Sequence, residues 1–386
     1  MIQDKYVIRQ QNQSLVLKTI IENKNISRAE IASQLNLNKA SVSSIVNDLL
    51  DKQLVIETGI GASGNTGGRK PIFLEFNPNS GMTIAVDVGY NYINYALSYL
   101  DGSFLIQEKL ETPITKHNAL PSIVEIVNIL IQKMPQTTHG IIGMTIAIHG
   151  IVDNNRITFT PSYHLDQLDL YQQLTDYFNF PIFLENEANL TALGEFTFFQ
   201  DIDNIISISI HSGIGAGIIQ NKKLLRGAHS QAGEMGHTIL YPNGKNCSCG
   251  NKGCLEKYAS NKAIYERFSN HFGLDKANSD NIVEAISNND SYTEDLINRK
   301  TKELAVGINN LTLLYDTELI ILNSSIFSKL PQFLEPLKST LNSKFTQQID
   351  IIISESGDNA TLYGGVALAV ANFLDIESIQ FAKNRH

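Results

Sequence analysis

The sequence predicts an α/β fold: a winged helix-turn-helix at the N-terminus, then two lobes with a cleft between them. Three observations carry this. The first 76 residues read as amphipathic helices followed by two short strands, and from residue 77 buried strands alternate with apolar-periodic helices. The strand-rich opening "MTIAVDVGYNYINYALSYL" also has a counterpart in "NIISISIHSGIGAGIIQNKKLL", which suggests a duplicated architecture. The expected domains are therefore 1–76, 77–200 and 201–386, with the last helix able to pack back on the first lobe.

Taken in order, "SLVLKTIIENK" places Leu17, Ile20 and Ile21 on one helical face, and "SRAEIASQL" opens with Ser27 three residues before Glu30, the spacing of a capping box. After the tight connection "NLN", the segment "KASVSSIVNDLLDK" gathers Val42, Ile45, Val46, Leu49 and Leu50 at helical spacing. It leaves Lys39, Ala40, Ser41, Ser43, Ser44 and Asn47 for a DNA major groove. The helices alone fit a plain three-helix bundle or a dimerisation module equally well. The strands "LVIET" and "PIFLEF" shift the balance, because the loop "GIGASGNTGGRK" between them carries five glycines and ends in Arg69 and Lys70. Such an arm suits a minor groove, where guanidinium is attracted and bulk is excluded; the competing reading is a linker with incidental charges.

Beyond the wing, "MTIAVDVGYNYINYALSYLDGSFLIQEKLET" gives three strand-like runs with a turn at Asp101 and Gly102. A periodic helix near Leu120 to Ile131 and the buried strand "GIIGMTIAIHG" follow. In the second lobe a strand, a glycine-broken turn and another strand precede helices that alternate with "ELIILN" and "IDIIIS". A cleft between two such lobes is the default place for a small-molecule site.

With 42% hydrophobic and 18% charged residues, the 386-residue chain is ordinary for a soluble globular protein. No apolar h-region opens it and no apolar run is long enough to span a bilayer, so a cytoplasmic protein without a membrane partner is expected. The net charge of −9 argues against a protein that binds nucleic acid over its whole surface. Up to Glu75, however, nine Lys and Arg stand against seven Asp and Glu, so the acidity belongs to the lobes.

All three cysteines, Cys247, Cys249 and Cys254, fall in "HTILYPNGKNCSCGNKGCLEK", with His237 ten residues upstream. Three thiols cannot all pair, and a reducing compartment keeps them free. One thiol would read as a small buried hydrophobe; three together with none elsewhere read as a metal loop. Gly250 and Gly253 let the backbone fold round a centre, and three sulfurs with one imidazole make a closed tetrahedral Zn set, structural rather than hydrolytic. His149, His211 and His229 read as ordinary polar or core histidines.

The stretch "SGIGAGIIQNKKLLRGAHSQAGEMGHTILYPNGKNCSCGNKGCLEKYAS" resembles the signature of the ROK family, the repressors and sugar kinases with an actin-like, ribonuclease-H-like two-lobed fold. The N-terminal part, through "GGRKP", is similar to the repressors of that family that answer to xylose. The resemblance covers nearly the whole chain. It implies a sugar-responsive repressor that binds a palindromic double-stranded operator as a homodimer and is released by its inducer, with xylose the expected sugar. It also implies Zn at His237, Cys247, Cys249 and Cys254, and a sugar held by Asn186, Glu187, Glu234, His237 and Glu256. Without it, Glu234 and Glu256 would read as surface acids.

The runner-up is an active ATP-dependent sugar kinase with an appended DNA-binding domain. Kinases of this family carry Asp-x-Gly-Gly-Thr after the first strand, where bare backbone approaches phosphate. Here the turn reads Asp87-Val88-Gly89-Tyr90-Asn91, and Glu187 stands where they place a catalytic aspartate. The expectation is a degenerate kinase with no catalytic residues. A purely structural zinc protein would leave the acidic pocket residues unexplained.

Overall fold

The computed structural model describes residues 2–60, 70–161 and 163–382. The chain opens with α1 (Ile2–Glu22), a two-residue strand β1 (Ile26–Ser27), α2 (Arg28–Gln34) and α3 (Lys39–Asp51). Ser27 caps α2 as its spacing predicts: its hydroxyl accepts from the Glu30 N–H at 3.3 Å, and Glu30 Oε2 accepts from the Ser27 N–H at 2.8 Å. Asn38 caps α3 by accepting from the N–H groups of Ala40 and Ser41. Val42, Ile45, Val46 and Leu49 are buried, whereas Leu50 is only half-buried. Strands β2 (Val55–Ile60) and β3 (Ile72–Phe76) pair antiparallel, and β1 adds to the far side of β3. Helix-turn-helix and hairpin thus form one small head.

The first lobe comprises β4 (Met82–Val88), β5 (Tyr92–Tyr99), β6 (Phe104–Glu111), α4 (Ala119–Lys133), β7 (Ile141–Ile148), the hairpin β8 (Ile151–Asp153) and β9 (Arg156–Phe159), α5 (Leu170–Tyr177), β10 (Ile182–Asn186) and α6 (Glu187–Gly194). Its sheet runs β10-β7-β4-β5-β6, with β4, β5 and β6 antiparallel and β7 and β10 parallel to β4. In the second lobe β11 (Ile205–Ile210), β12 (Ile214–Gln220) and β13 (Lys223–Leu224) form the antiparallel half. After the cysteine loop come α7 (Glu256–Ala259), α8 (Asn261–Phe272), α9 (Ser279–Ser287), α10 (Ser291–Tyr315), β14 (Leu319–Asn323), α11 (Ser325–Lys329), α12 (Leu334–Thr340), β15 (Asp350–Ile353) and α13 (Ala360–Leu374). The second sheet, β13-β12-β11-β14-β15, repeats the first strand for strand, with β14 and β15 parallel to β11. The duplication read from the two similar openings is therefore a duplication of whole sheets.

Each lobe closes with a helix that crosses to the other. α6 ends the first half but packs on β11 and β12, and α13 ends the second but packs on β4 and β7. A cut at residue 200 therefore leaves α6 on the sheet of its neighbour. The two helices touch through glycine: a Cβ on Gly364 would lie 1.8 Å from the Leu190 carbonyl oxygen, and one on Gly194 2.3 Å from that of Ala360. α13 also joins the lobes to the head. Its buried Val366, Ala369 and Val370 share one apolar cluster with Leu17, Ile20, Val46 and Leu74, and Ile376 and Ile379 continue it. The Phe381 ring stacks on Phe198 at 5.1 Å and lies 5.9 Å from Phe76, and the Ala382 N–H donates to the Ile21 carbonyl at 3.3 Å. No helix among the described residues is long and apolar enough to cross a membrane.

Candidate functional site

The cysteine loop is a tight hairpin hung from β12. Bridges pair Ile239 with Cys254 and Asn246 with Lys252, and Gly250 and Gly253 take positive φ, 95° and 84°. At Gly253 a side chain is impossible, since its Cβ would sit 1.7 Å from the Tyr241 carbonyl oxygen. The result gathers one atom each from His237, Cys247, Cys249 and Cys254 within 4.8 Å of one another. Cys249 and Cys254 sulfurs are 3.6 Å apart, and Cys247 Sγ is 3.5 Å from His237 Nδ1. A tetrahedral Zn with Zn–S of about 2.3 Å spans sulfurs about 3.8 Å apart, so the donor set and its spacing fit that ion. Burial and the neighbouring thiols push the Cys254 thiol up to about 12, a cost that a coordinated cation reverses. Beneath the loop, the buried Lys300 pairs with Glu303 at 2.6 Å, and Glu303 accepts from the Tyr241 hydroxyl at 3.3 Å.

The same loop fixes two acidic side chains. Glu256, at the start of α7, has Oε1 3.2 Å from Cys247 Sγ and 3.1 Å from Lys257 Nζ. His237 turns its other nitrogen, Nε2, toward Glu234 Oε2 at 3.7 Å. Burial holds the Glu234 carboxyl above the usual range; the His237 charge opposes this and Glu256 adds to it. From the facing elements come Asn186 and Glu187. Asn186 Oδ1 caps α6 through the Asn189 N–H, and its Nδ2 donates to the Gly150 carbonyl at 2.7 Å, so this side chain is largely occupied in placing its neighbours. The buried Glu187 accepts at Oε1 from Thr191 and Ser209 at 2.9 Å and from Thr361 at 3.2 Å. The five residues expected to hold a sugar thus fall into two groups, Glu234, His237 and Glu256 around the cysteine loop and Asn186 and Glu187 at the start of α6.

Two residues that read as ordinary histidines join them. His149 follows β7 and His211 follows β11, each at the end of a central strand of its sheet; their rings meet edge to face with centroids 6.5 Å apart. His149 Nε2 lies 2.9 Å from Asp87 Oδ1, and the Tyr92 hydroxyl donates to Asp87 Oδ2 at 2.9 Å. Tyr92 also roofs the turn after β4: a Cβ on Gly89 would lie 2.3 Å from its ring. The only signal in the sequence was position, each histidine directly after an isoleucine-rich strand.

On the head, Lys39, Ala40, Ser41, Ser44 and Asn47 are exposed along α3, and Ser43 is half-buried. Asn47 accepts from Arg28 at 3.4 Å, and Arg28 pairs with Glu57 of β2 at 3.0 Å, tying α2, α3 and the hairpin together. Lys70 is exposed, and Arg69 lies outside the described residues.

A model of the ROK family matches residues 83–372. The xylose repressor of Bacillus spizizenii is 36% identical over 387 residues, 97% of this chain and 99% of its own. A ROK family transcriptional regulator of known structure, a homologue of the E. coli MLC protein, superposes with a TM-score of 0.79 at 27% identity, over 95% of this chain and 97% of its own. A ROK family glucokinase from Streptomyces griseus, solved with glucose and AMPPNP, gives 0.68 at 25% identity and covers 75% of this chain and 99% of its own. Two sheets of one topology, a thiol loop that holds Glu234 and Glu256 and a family match from Thr83 onward lead to one conclusion: the chain belongs to the ROK family.

Proposed function

We propose that this chain is a sugar-responsive transcriptional repressor, released from its operator by xylose. The observation that carries this is similarity to xylose repressors over 97% of the chain, head and lobes alike. The head offers a capped helix with small polar side chains to a major groove, and Arg69 and Lys70 to the adjoining minor groove. One such helix reads only a short half-site, so a homodimer on a palindrome is the proposed DNA-bound form. In the cleft, Glu187, Glu234 and Glu256 accept from sugar hydroxyls while His237 donates, with Asn186 completing the set. Zn bound by His237, Cys247, Cys249 and Cys254 would supply the cross-link that fixes this loop, and with it the His237 ring and Glu256.

The path from sugar to DNA is short. Thr361, in the first turn of α13, contacts Glu187, and the far end of α13 runs into the residues packed on the head. Across the cleft, Arg226 pairs with Glu185 at 2.8 Å and Ser230 donates to Asp153 at 2.8 Å. A sugar that binds one lobe arrangement better shifts the balance by that difference in affinity, and the head moves with α13.

Likeness to a glucokinase favours a second reading, a kinase carrying a DNA-binding head. Tyr92 over Gly89 and the full engagement of Asp87 speak against it, since the turn offers no bare backbone to a phosphate. Fluorescence anisotropy on operator DNA with and without xylose, beside an ATP-consumption assay, tests both. Release without turnover is expected; phosphoryl transfer to sugar, or operator affinity indifferent to xylose, overturns the repressor reading.

A further inference from the structure

The sugar-facing acids share a deficiency. Carboxylates only accept hydrogen bonds, whereas every sugar hydroxyl oxygen also needs a donor. On the first lobe, one residue outside the expected sugar set supplies it. Asp87 is 3% exposed and both its oxygens are taken, one by the Tyr92 hydroxyl and one by His149 Nε2. That bond holds a proton on Nε2, and when the ring is the imidazolium that Asp87 favours its second proton sits on Nδ1; among the described residues nothing bonds to that nitrogen. The backbone is equally fixed, because the His149 N–H donates to the Tyr163 oxygen and the Tyr163 hydroxyl donates to the Val88 carbonyl, both at 2.9 Å. The side chain is not sealed: it is 17% exposed, at the place where His211 and, 4.0 Å beyond its Nε2, Glu187 arrive from the other elements of the cleft.

We propose that His149 is a direct contact of the inducer, its Nδ1–H donating to a hydroxyl oxygen of the polyhydroxylated ring from the lobe opposite Glu234 and Glu256. The proposal rests on the repressor reading and adds to it a specificity-determining residue. Asp87 acts as a positioning residue that holds the ring and keeps it charged. Burial works against the imidazolium, but the charge and hydrogen bond of Asp87, helped by Glu187, outweigh it and raise His149 to about 9. A charged donor makes the stronger hydrogen bond, and it persists across neutral pH.

Titration calorimetry with xylose on the full-length protein, with operator binding as the check on folding, tests this. His149→Gln should bind operator as wild type does yet bind xylose about tenfold more weakly. The second variant, Asp87→Asn, separates contact from scaffolding. The groups facing His149 are Asp87, Tyr92, Tyr163, His211 and Glu187, and only Asp87 changes. The raised group stays charged below about 9, so wild-type affinity varies little with His149 charge between pH 6 and 8; in Asp87→Asn the imidazole loses its proton within that range and affinity falls as pH rises. Unchanged xylose affinity in His149→Gln, or an Asp87→Asn profile parallel to wild type, overturns the proposal. A wild-type protein that binds operator but not xylose instead overturns the xylose reading on which it rests.

Discussion

The carboxylate of Glu187 is divided between two duties. Oε1 is held by hydroxyls from α6, β11 and α13, and Oε2 has no partner among the described residues. The pyranose form of xylose lacks the exocyclic hydroxymethyl of a hexose, and glutamate is one methylene longer than the aspartate of the resembling kinases. Our hypothesis is that Glu187 takes up the space a hexose's extra carbon would need. Glu187→Asp should then bind xylose more weakly and glucose measurably, a change of about 1–3 kcal/mol in preference by calorimetry; an unaltered ratio refutes it. The resemblance in "LENEANL" proposes Asn186 and Glu187 for the sugar, but does not show that Asn186 caps α6 and bonds Gly150. His149 was legible only as a residue after a strand, because its partner Asp87 is distant in sequence and brought close by the parallel pairing of β4 and β7.

Among the elements, the cysteine loop is the one whose gathering was plain in the sequence, since its four expected ligand atoms do come within 4.8 Å of one another. Three thiols and a histidine at that spacing suit a metal, and capping residues declare where α2 and α3 start. Because Cys247 touches Glu256 and His237 faces Glu234, loss of the metal should loosen the sugar site too. For Cys249→Ser, metal analysis should fall from about one Zn per chain toward none, and xylose affinity should drop with it. Retained affinity in a metal-free variant would break the proposed link. For the wing, replacing Arg69 and Lys70 together by Ala should weaken operator binding and flatten its dependence on log salt by about two units, and equal slopes would remove both from the phosphate and groove contacts. Less legible was α6. Its sequence follows β10 without a break, so it reads as the end of the first lobe, while the close approach permitted by Gly194, Gly217 and Gly364 seats it against the second sheet.

Across the whole molecule, the duplicated sheets were legible because a predominantly apolar strand followed by a glycine turn and a second strand occurs twice. The seating of the head was not. It depends on Ile376, Ile379 and Phe381, a short apolar tail whose partners are at the opposite end of the sequence. If α13 transmits the sugar signal, Phe381→Ala should leave xylose affinity within about threefold of wild type. The change that xylose makes in operator affinity should shrink about tenfold, measured by anisotropy over a xylose series. A full response in that variant would mean that the signal reaches the head by another route.

The crossing of α13 into the first lobe also sets a timetable. A ribosome adds about 5–20 residues per second, so β4 waits on the order of tens of seconds for the helix that covers it. During that interval the first sheet exposes the face meant for Val366 and Val370, and the head has no tail to hold it. Helix-turn-helix and lobes therefore become one mechanical unit only when residues 360–382 emerge. A nascent chain can present a folded helix-turn-helix well before it has the tail that seats the head on the lobes.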